Sequence, residues 1–324
     1  MENGIKVLNE LSWGYRASRA LQVASGLGVF TVLSDCAMGA GEIAEKCRSK
    51  AGLTEKLLIG CAAMGLLEKK EGRYKNSALA EKYLVRGGEF YQGDIIAHSA
   101  NVMEYWNRLE DEIRIEERRG DKAAEGHRNF IMGMANIAAA GRAKMFVDKI
   151  DLTGRRKLLD IGGGPGSYSI AACRRYRELK AVVFDLPETI AITRQIIAEE
   201  GMGDRVSVRE GDWGTDSFGK GNDVALLSNV LHGASSGAEM KLGKARESLV
   251  DGGLLVVQEF LLNDEKSGPL IPALFNIMVG AYSEGELLGL IKEAGFAGAE
   301  IIMRSEEIGC SWITAERVCG DEAV

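Results

Sequence analysis

Asp160, Gly162, Gly164 and Gly166 alternate through the run DIGGGPG, whose first two residues end the short stretch Lys157 to Ile161. Glycine lets a chain turn sharply off a strand end and lets a ligand approach the backbone closely. Amides of such a turn can face a carboxylate or a ribose, and the acid two residues before the first glycine can receive an ammonium group. A dinucleotide-type G-x-G-x-x-G turn would need glycine at 167, where this chain has Ser167. Asp185 closes a second apolar run, AVVFD, where a carboxylate can accept both hydroxyls of a ribose. Asp212 follows a third run, VSVR, within Gly211-Asp212-Trp213, where an acid can accept an adenine amino group and an indole can cover its ring. His232 lies four residues past Ser228, after a fourth run, and is one of three histidines, with His98 and His127. A neutral imidazole suits proton removal at neutral pH.

Taken singly, each acid reads as a helix cap or a turn former, and a lone histidine reads as structural. Together, three acids just past the ends of successive strands, with His232 past a fourth, share one edge of a sheet. The constellation fits S-adenosylmethionine (SAM): Asp160, Gly162, Gly164, Gly166, Asp185, Leu186, Gly211, Asp212, Trp213 and Ser228 are the expected cofactor residues.

The elements that must position them alternate. Strands are expected at 157–161, 181–185, 206–209, 224–228 and 253–260, with helices at 168–176, 187–200, 237–250 and 283–294. Strand–helix alternation implies a parallel, doubly wound α/β sheet. The segments 299–304 and 312–317 supply two more strands, expected as an antiparallel terminal pair. Upstream, the pattern is helical. Residues 18–33 and 41–47 are expected as helices, and a third is expected to begin at Thr54 as cap and run to about Leu67. A strand–turn–strand around Glu71-Gly72 follows, so three helices and a β-wing suggest a winged helix. Its third helix, TEKLLIGCAAMGLL, offers only Lys56 as a base, whereas a DNA-recognition helix presents several polar and basic side chains. A dimerisation or scaffold role suits it better. Helical patterns over 95–115 and 130–150 form a connector, with the charged run 110–122 read as a solvated helix end and loop. The expected domains are therefore 1–90, 91–150 and 151–324.

The composition bounds the function. The 324 residues are 46% hydrophobic and 27% charged, with a net charge of -7, which argues against nucleic acid as a partner. No apolar stretch approaches the ~20 residues needed to cross a bilayer, and Met1 to Glu10 does not read as a signal peptide, so a cytoplasmic location is expected. Cys36, Cys47, Cys61, Cys173, Cys310 and Cys319 form no Cys-x-x-Cys pair; they read as reduced thiols, with no metal expected.

The chain resembles the SAM-dependent O-methyltransferases of the plant caffeic-acid and hydroxyindole type, with their bacterial and archaeal small-molecule relatives. DIGGGPG (160–166), FDLPE (184–188), GDW (211–213) and NVLH (229–232) match the family's blocks in order and spacing, and Phe130-x-x-x-Met134 resembles its pocket-lining helix. The resemblance implies a Rossmann-like seven-stranded methyltransferase sheet behind an N-terminal all-α winged-helix dimerisation domain, a homodimer, SAM as cofactor with S-adenosylhomocysteine as product, and a small-molecule acceptor. It implies His232 as general base oriented by Glu259, and Phe130, Met134, Trp106 and Met278 as acceptor-lining residues, whose apolar or soft character suggests a flat or apolar substrate. The chain departs from the family where Gly233-Ala234 replace the usual Asp-Trp after the histidine, and where Ala281 stands at the place of a second catalytic acid. Two other functions stay open: a SAM-binding enzyme of this fold that does not methylate, and a winged-helix DNA-binding regulator.

Overall fold

The computed structural model describes residues 2–115, 122–305 and 309–318; residues 116–121 of the charged run and Cys319 lie outside them. The chain divides into two compact units, one holding the N-terminal helices with residues 260–285, the other the remainder up to 259 with 286–305 and the last strand.

In the first unit, α1 (Glu2–Trp13) and α2 (Tyr15–Gly26) precede a short α3 (Val29–Val32). The helix expected over 18–33 is split because Gly28 takes φ 76°, through which a right-handed helix does not continue. Next come β1 (Met38–Gly39), α4 (Ala40–Lys46), α5 (Ala51–Ala63), the hairpin of β2 (Leu67–Lys70) and β3 (Arg73–Asn76), α6 (Ala78–Leu84) and α7 (Gly93–Ile113). β1 adds a third strand against β3 that had no signal in the sequence.

Thr54 does not cap α5. The helix starts at Ala51, and Thr54 Oγ1 donates back to Lys50 O at 3.0 Å from inside the first turns. A hydroxyl bonded to the preceding turn marks no boundary. Leu57 to Cys61 are all buried, and a Cβ on Gly60 would lie 3.1 Å from Ile277 of the helix Leu270–Met278. The element that would enter a DNA groove in a winged helix is thus part of its unit's core.

The second unit begins with α8 (Lys122–Ile137), a π-helical turn at Ala138–Arg142 and α9 (Ala143–Lys149). The expected continuous helix is broken at Gly141, whose φ is 140°. There follow β4 (Lys157–Ile161), α10 (Ser167–Arg175), β5 (Lys180–Asp185), α11 (Pro187–Glu199), β6 (Val206–Glu210), β7 (Asn222–Ser228), α12 (Ala238–Ser248) and β8 (Leu249–Glu259). Then α13 (Leu270–Met278) belongs to the first unit, and α14 (Glu284–Glu293), β9 (Phe296–Ser305) and β10 (Cys310–Arg317) complete the chain.

Seven strands form one sheet in the order β6-β5-β4-β7-β8-β10-β9. The first five in that order are parallel, while β10 runs antiparallel to both β8 and β9. β4 and β7 are buried almost throughout, as parallel strands covered on both faces must be. Phe146, Leu158, Val183, Leu226, Val256 and Trp312 share the core, with Phe146 stacked on Trp312 at 5.4 Å.

Register sets the site. Ile161 lies beside Phe184 and Leu227, Asp185 beside Glu210, and Ser228 beside Gln258, so the parallel strands end level at one edge. Strand order reverses at β4, which has β5 on one side and β7 on the other. The crevice at such a reversal is where open α/β sheets bind ligands.

Candidate active site

The glycine turn leaves β4 with Gly162 N donating to Phe184 O at 2.8 Å and closes with Gly166 N donating to Gly163 O at 2.9 Å. Gly162, Gly164 and Gly166 have φ of 66°, 53° and 74°, the left-handed region that side chains disfavour. Space adds a second requirement. A Cβ on Gly163 would lie 2.5 Å from the Asp160 carboxyl carbon, and one on Gly162 would lie 2.8 Å from Val230 and 3.1 Å from the Trp213 ring. Around Gly164 the same atom would meet nothing within 4 Å, so backbone there faces open space.

The three acids grade from buried to exposed. Asp160 is fully buried beneath the turn; Ser169 Oγ donates to its Oδ2 at 2.8 Å, and its Oδ1 has no hydrogen-bond partner among the described residues. Burial pushes its pKa up to about 7, aided by the Asp185 carboxylate and opposed by the Ser169 hydrogen bond. Asp185 is held at both oxygens: Oδ2 accepts from Gly164 N and Oδ1 from Leu186 N, each at 2.8 Å. Burial raises its pKa, and these amides, Thr189 and the charge of His127 resist the rise. His127 Nε2 is 3.3 Å from the hydroxyl of buried Thr189. His127 therefore belongs to the surroundings of Asp185. Leu186 follows, 39% exposed, as N-cap of α11.

Asp212 is exposed, and its Oδ1 accepts from Gly214 N at 2.7 Å, an Asx-type turn. Gly211 N donates to Asp185 O at 3.0 Å, which ties the end of β6 to the end of β5. A Cβ on Gly211 would lie 2.4 Å from the Phe184 ring, so only glycine packs there. Trp213 is anchored through its carbonyl, which accepts from Lys244 Nζ at 2.6 Å.

At the end of β7, Ser228 Oγ and Tyr168 OH both donate to Gln258 Oε1 at 2.7 Å. Burial raises the Tyr168 phenol to about 12, so it remains a donor. Asn229 then takes φ 54°, which turns the chain off the strand, and its N donates to Gln258 O at 2.8 Å. His232 follows, with Nδ1 2.8 Å from Glu259 Oε1; the His232 side chain is 26% exposed and that of Glu259 fully buried. Glu259 Oε2 accepts from Leu231 N at 2.9 Å, so one carboxylate fixes both the imidazole and the backbone leading into it. Pairing with the carboxylate puts the Nδ1 proton toward Glu259 and makes Nε2 the basic nitrogen of the neutral ring. Tyr168 and Gln258 carried no distinct signal in the sequence, because their role depends on which strands are neighbours.

Phe130 and Met134 lie one turn apart on the same face of α8, and Phe130 is largely exposed. Trp106, on α7, meets Tyr105 edge-on at 6.0 Å, and Met278 ends α13. Trp106 and Met278 belong to the first unit, and Phe130 and Met134 to the second. No cluster of three potential metal ligands occurs among the described residues. No described helix is long and apolar enough to cross a membrane.

Residues 116–297 match the family model of the O-methyltransferase domain, and residues 9–86 that of the O-methyltransferase dimerisation domain. The chain is 30% identical to the 3-hydroxy-5-methyl-1-naphthoate 3-O-methyltransferase of Streptomyces sahachiroi, over 96% of this chain and 91% of that protein. It is 25% identical to the L-tyrosine C(3)-methyltransferase of Streptomyces lavendulae, over 86% of this chain and 82% of that one. Among solved structures it superposes on an O-methyltransferase family 2 protein from Planctomyces limnophilus, in complex with apigenin. That match has a TM-score of 0.81 and 27% identity, covering 97% of this chain and 96% of that one.

Proposed function

The chain belongs to the O-methyltransferase family as a SAM-dependent enzyme of small molecules, and on that premise we propose that it methylates a hydroxyl of a flat aromatic or apolar acceptor, with His232 as general base. The observation that carries this reading is the His232–Glu259 pair, set on the sheet edge that also bears the glycine turn and the three acids.

The residues present fit SAM. Asp160 Oδ1 is a buried carboxylate oxygen lacking a partner, an acceptor suited to an ammonium group. The open backbone at Gly164 admits close approach. Asp185, held by two amides, keeps lone pairs on both oxygens for ribose hydroxyls. Gly162, Gly166, Leu186, Gly211, Asp212, Trp213 and Ser228 complete the proposed cofactor set. When bound, the sulfonium supplies an electrophilic methyl group and leaves as the neutral thioether of S-adenosylhomocysteine.

This chain's own work is then alignment and proton removal. Alignment of acceptor and donor contributes on the order of several kcal/mol. His232 Nε2 takes the hydroxyl proton, and Glu259 stabilises the imidazolium that forms, for roughly 10²–10⁴-fold. Asp-Trp is missing after His232, and the single carboxylate of Glu259 carries the orienting role. Phe130, Met134, Trp106 and Met278 are proposed to contact the acceptor. The relative acting on a hydroxynaphthoate supports a bicyclic aromatic acceptor. The dimerisation-domain match and the exposed Ile5, Leu8 and Leu11 of α1 support a homodimer.

The test is incubation with methyl-labelled SAM and a panel of hydroxylated bicyclic aromatic acids, read by mass spectrometry. Label on an acceptor oxygen, with S-adenosylhomocysteine formed in equal amount, is expected. SAM binding without any S-adenosylhomocysteine across the panel would instead favour the non-methylating reading.

A further inference from the structure

The sequence of α12, AEMKLGKARES, reads as a solvated helix, yet Lys241 within it is 2% exposed. A lysine so buried persists only where its ammonium is compensated. Its Nζ donates to Val230 O at 2.8 Å and lies 3.7 Å from the centre of the Trp213 ring. Both contacts lead into the site. Val230 sits two residues before His232, and Val230 and Trp213 close together over Gly162. Burial brings Lys241 down to about 8, while the Glu259 carboxylate supports its charge. One ammonium therefore touches the backbone that carries His232 and the ring beside the glycine turn, and it faces the carboxylate that holds the imidazole.

We propose that Lys241 is a positioning residue that locks the segment 229–232 and Trp213 into one arrangement, so that filling the adenine side of the cofactor site and placing His232 are coupled. This rests on the reading of Trp213 as the adenine wall and His232 as the base. Without the ammonium, Val230 O loses its buried donor and Trp213 loses the cation on its face. Glu259 would then lose the charge of Lys241 while keeping His232 and the Leu231 amide, from the loop after β7, with Cys310 of β10, which itself feels Arg142, also near it. Loss of a positive charge beside this pair favours the imidazolium, so the acidic limb of turnover moves to higher pH.

The experiment uses the full-length enzyme, with SAM affinity measured by calorimetry and turnover measured at saturating SAM across about pH 5 to 9. The variants are Lys241→Met, Lys241→Arg, Trp213→Leu and the Met/Leu double variant. Lys241→Met is expected to lower turnover by about tenfold, to weaken SAM several-fold and to move the acidic limb upward. Lys241→Arg, which keeps charge and donor, should restore the limb. Trp213→Leu should also lower turnover at saturating SAM, and the double variant should lose no more than the worse single one, the mark of a shared unit. Turnover and limb unchanged in Lys241→Met, or strictly additive losses in the double variant, would overturn the proposal. If Lys241→Met does not fold, Trp213→Leu decides, since unchanged turnover at saturating SAM there also overturns it. His232→Ala separates the two readings. Full activity in that variant removes the base assignment, and non-additive or additive losses of SAM affinity then decide for or against the coupling.

Discussion

Asp185 and Phe130 stand at opposite extremes of constraint. Asp185 has each carboxylate oxygen fixed by a backbone amide and sits at the end of a strand in register with its neighbours. Phe130 is 59% exposed, and Trp106 and Met278 are 62% and 61% exposed. The strand-end acids and the glycine turn are thus organised by backbone hydrogen bonds and close packing, whereas the residues proposed to meet the acceptor are held mainly by their helices. A preformed site keeps one ligand across many enzymes, while exposed side chains can change with little cost to the fold. This fits a family in which naphthoate O-methylation and tyrosine C-methylation occur on related chains.

The contrast can be broken from either end. The largest effect is expected at the proposed base: His232→Ala should lower turnover by roughly 10²–10⁴-fold and leave SAM affinity within about twofold. Equal losses in both would place His232 in the cofactor site instead. Glu259→Gln should follow in the same direction with a smaller loss, since it keeps a polar partner for Nδ1 but not the charge.

Asp160 gives a prediction with a sign. Its folded pKa, about 7, lies above the ordinary carboxylate value of 3.8. The folded state therefore holds a proton that the unfolded state has released between those values, and stability falls as pH rises from about 4 through 7. Asp160→Asn should raise the melting temperature of the cofactor-free enzyme at pH 8 by at least about 2 °C while weakening SAM binding. An unchanged melting temperature at pH 8 would contradict the buried, unpartnered carboxylate. The smallest effect is expected on the exposed side: Phe130→Ala should raise the acceptor KM by about threefold to tenfold, with no change in SAM affinity and less than about 0.5 kcal/mol in stability. A drop in SAM affinity there would erase the contrast.

Where the sequence was readable, local rules sufficed. The stretch from β4 to α10 combines a short apolar run, glycines at every second position and a helix start, and each feature has one cheap conformation. Thr54 misled because a threonine hydroxyl near a helix start can cap it or bond back to the preceding turn, and only tertiary packing chooses. α13, LIPALFNIM, was not anticipated, since a short apolar run with a proline has no decisive period. His127 and Lys241 were hidden for a common reason. Each matters only through what the neighbouring elements bring against it: Thr189 in one case, Val230 and Trp213 in the other.

Asp185 is the proposed fixed point of a preformed SAM site at the carboxyl edge of the sheet. Calorimetric titration of SAM into the wild-type enzyme and Asp185→Ala tests it most directly. Kd is expected to rise by at least about tenfold in the variant, equal to about 1.4 kcal/mol. An unchanged Kd in a folded Asp185→Ala would contradict it.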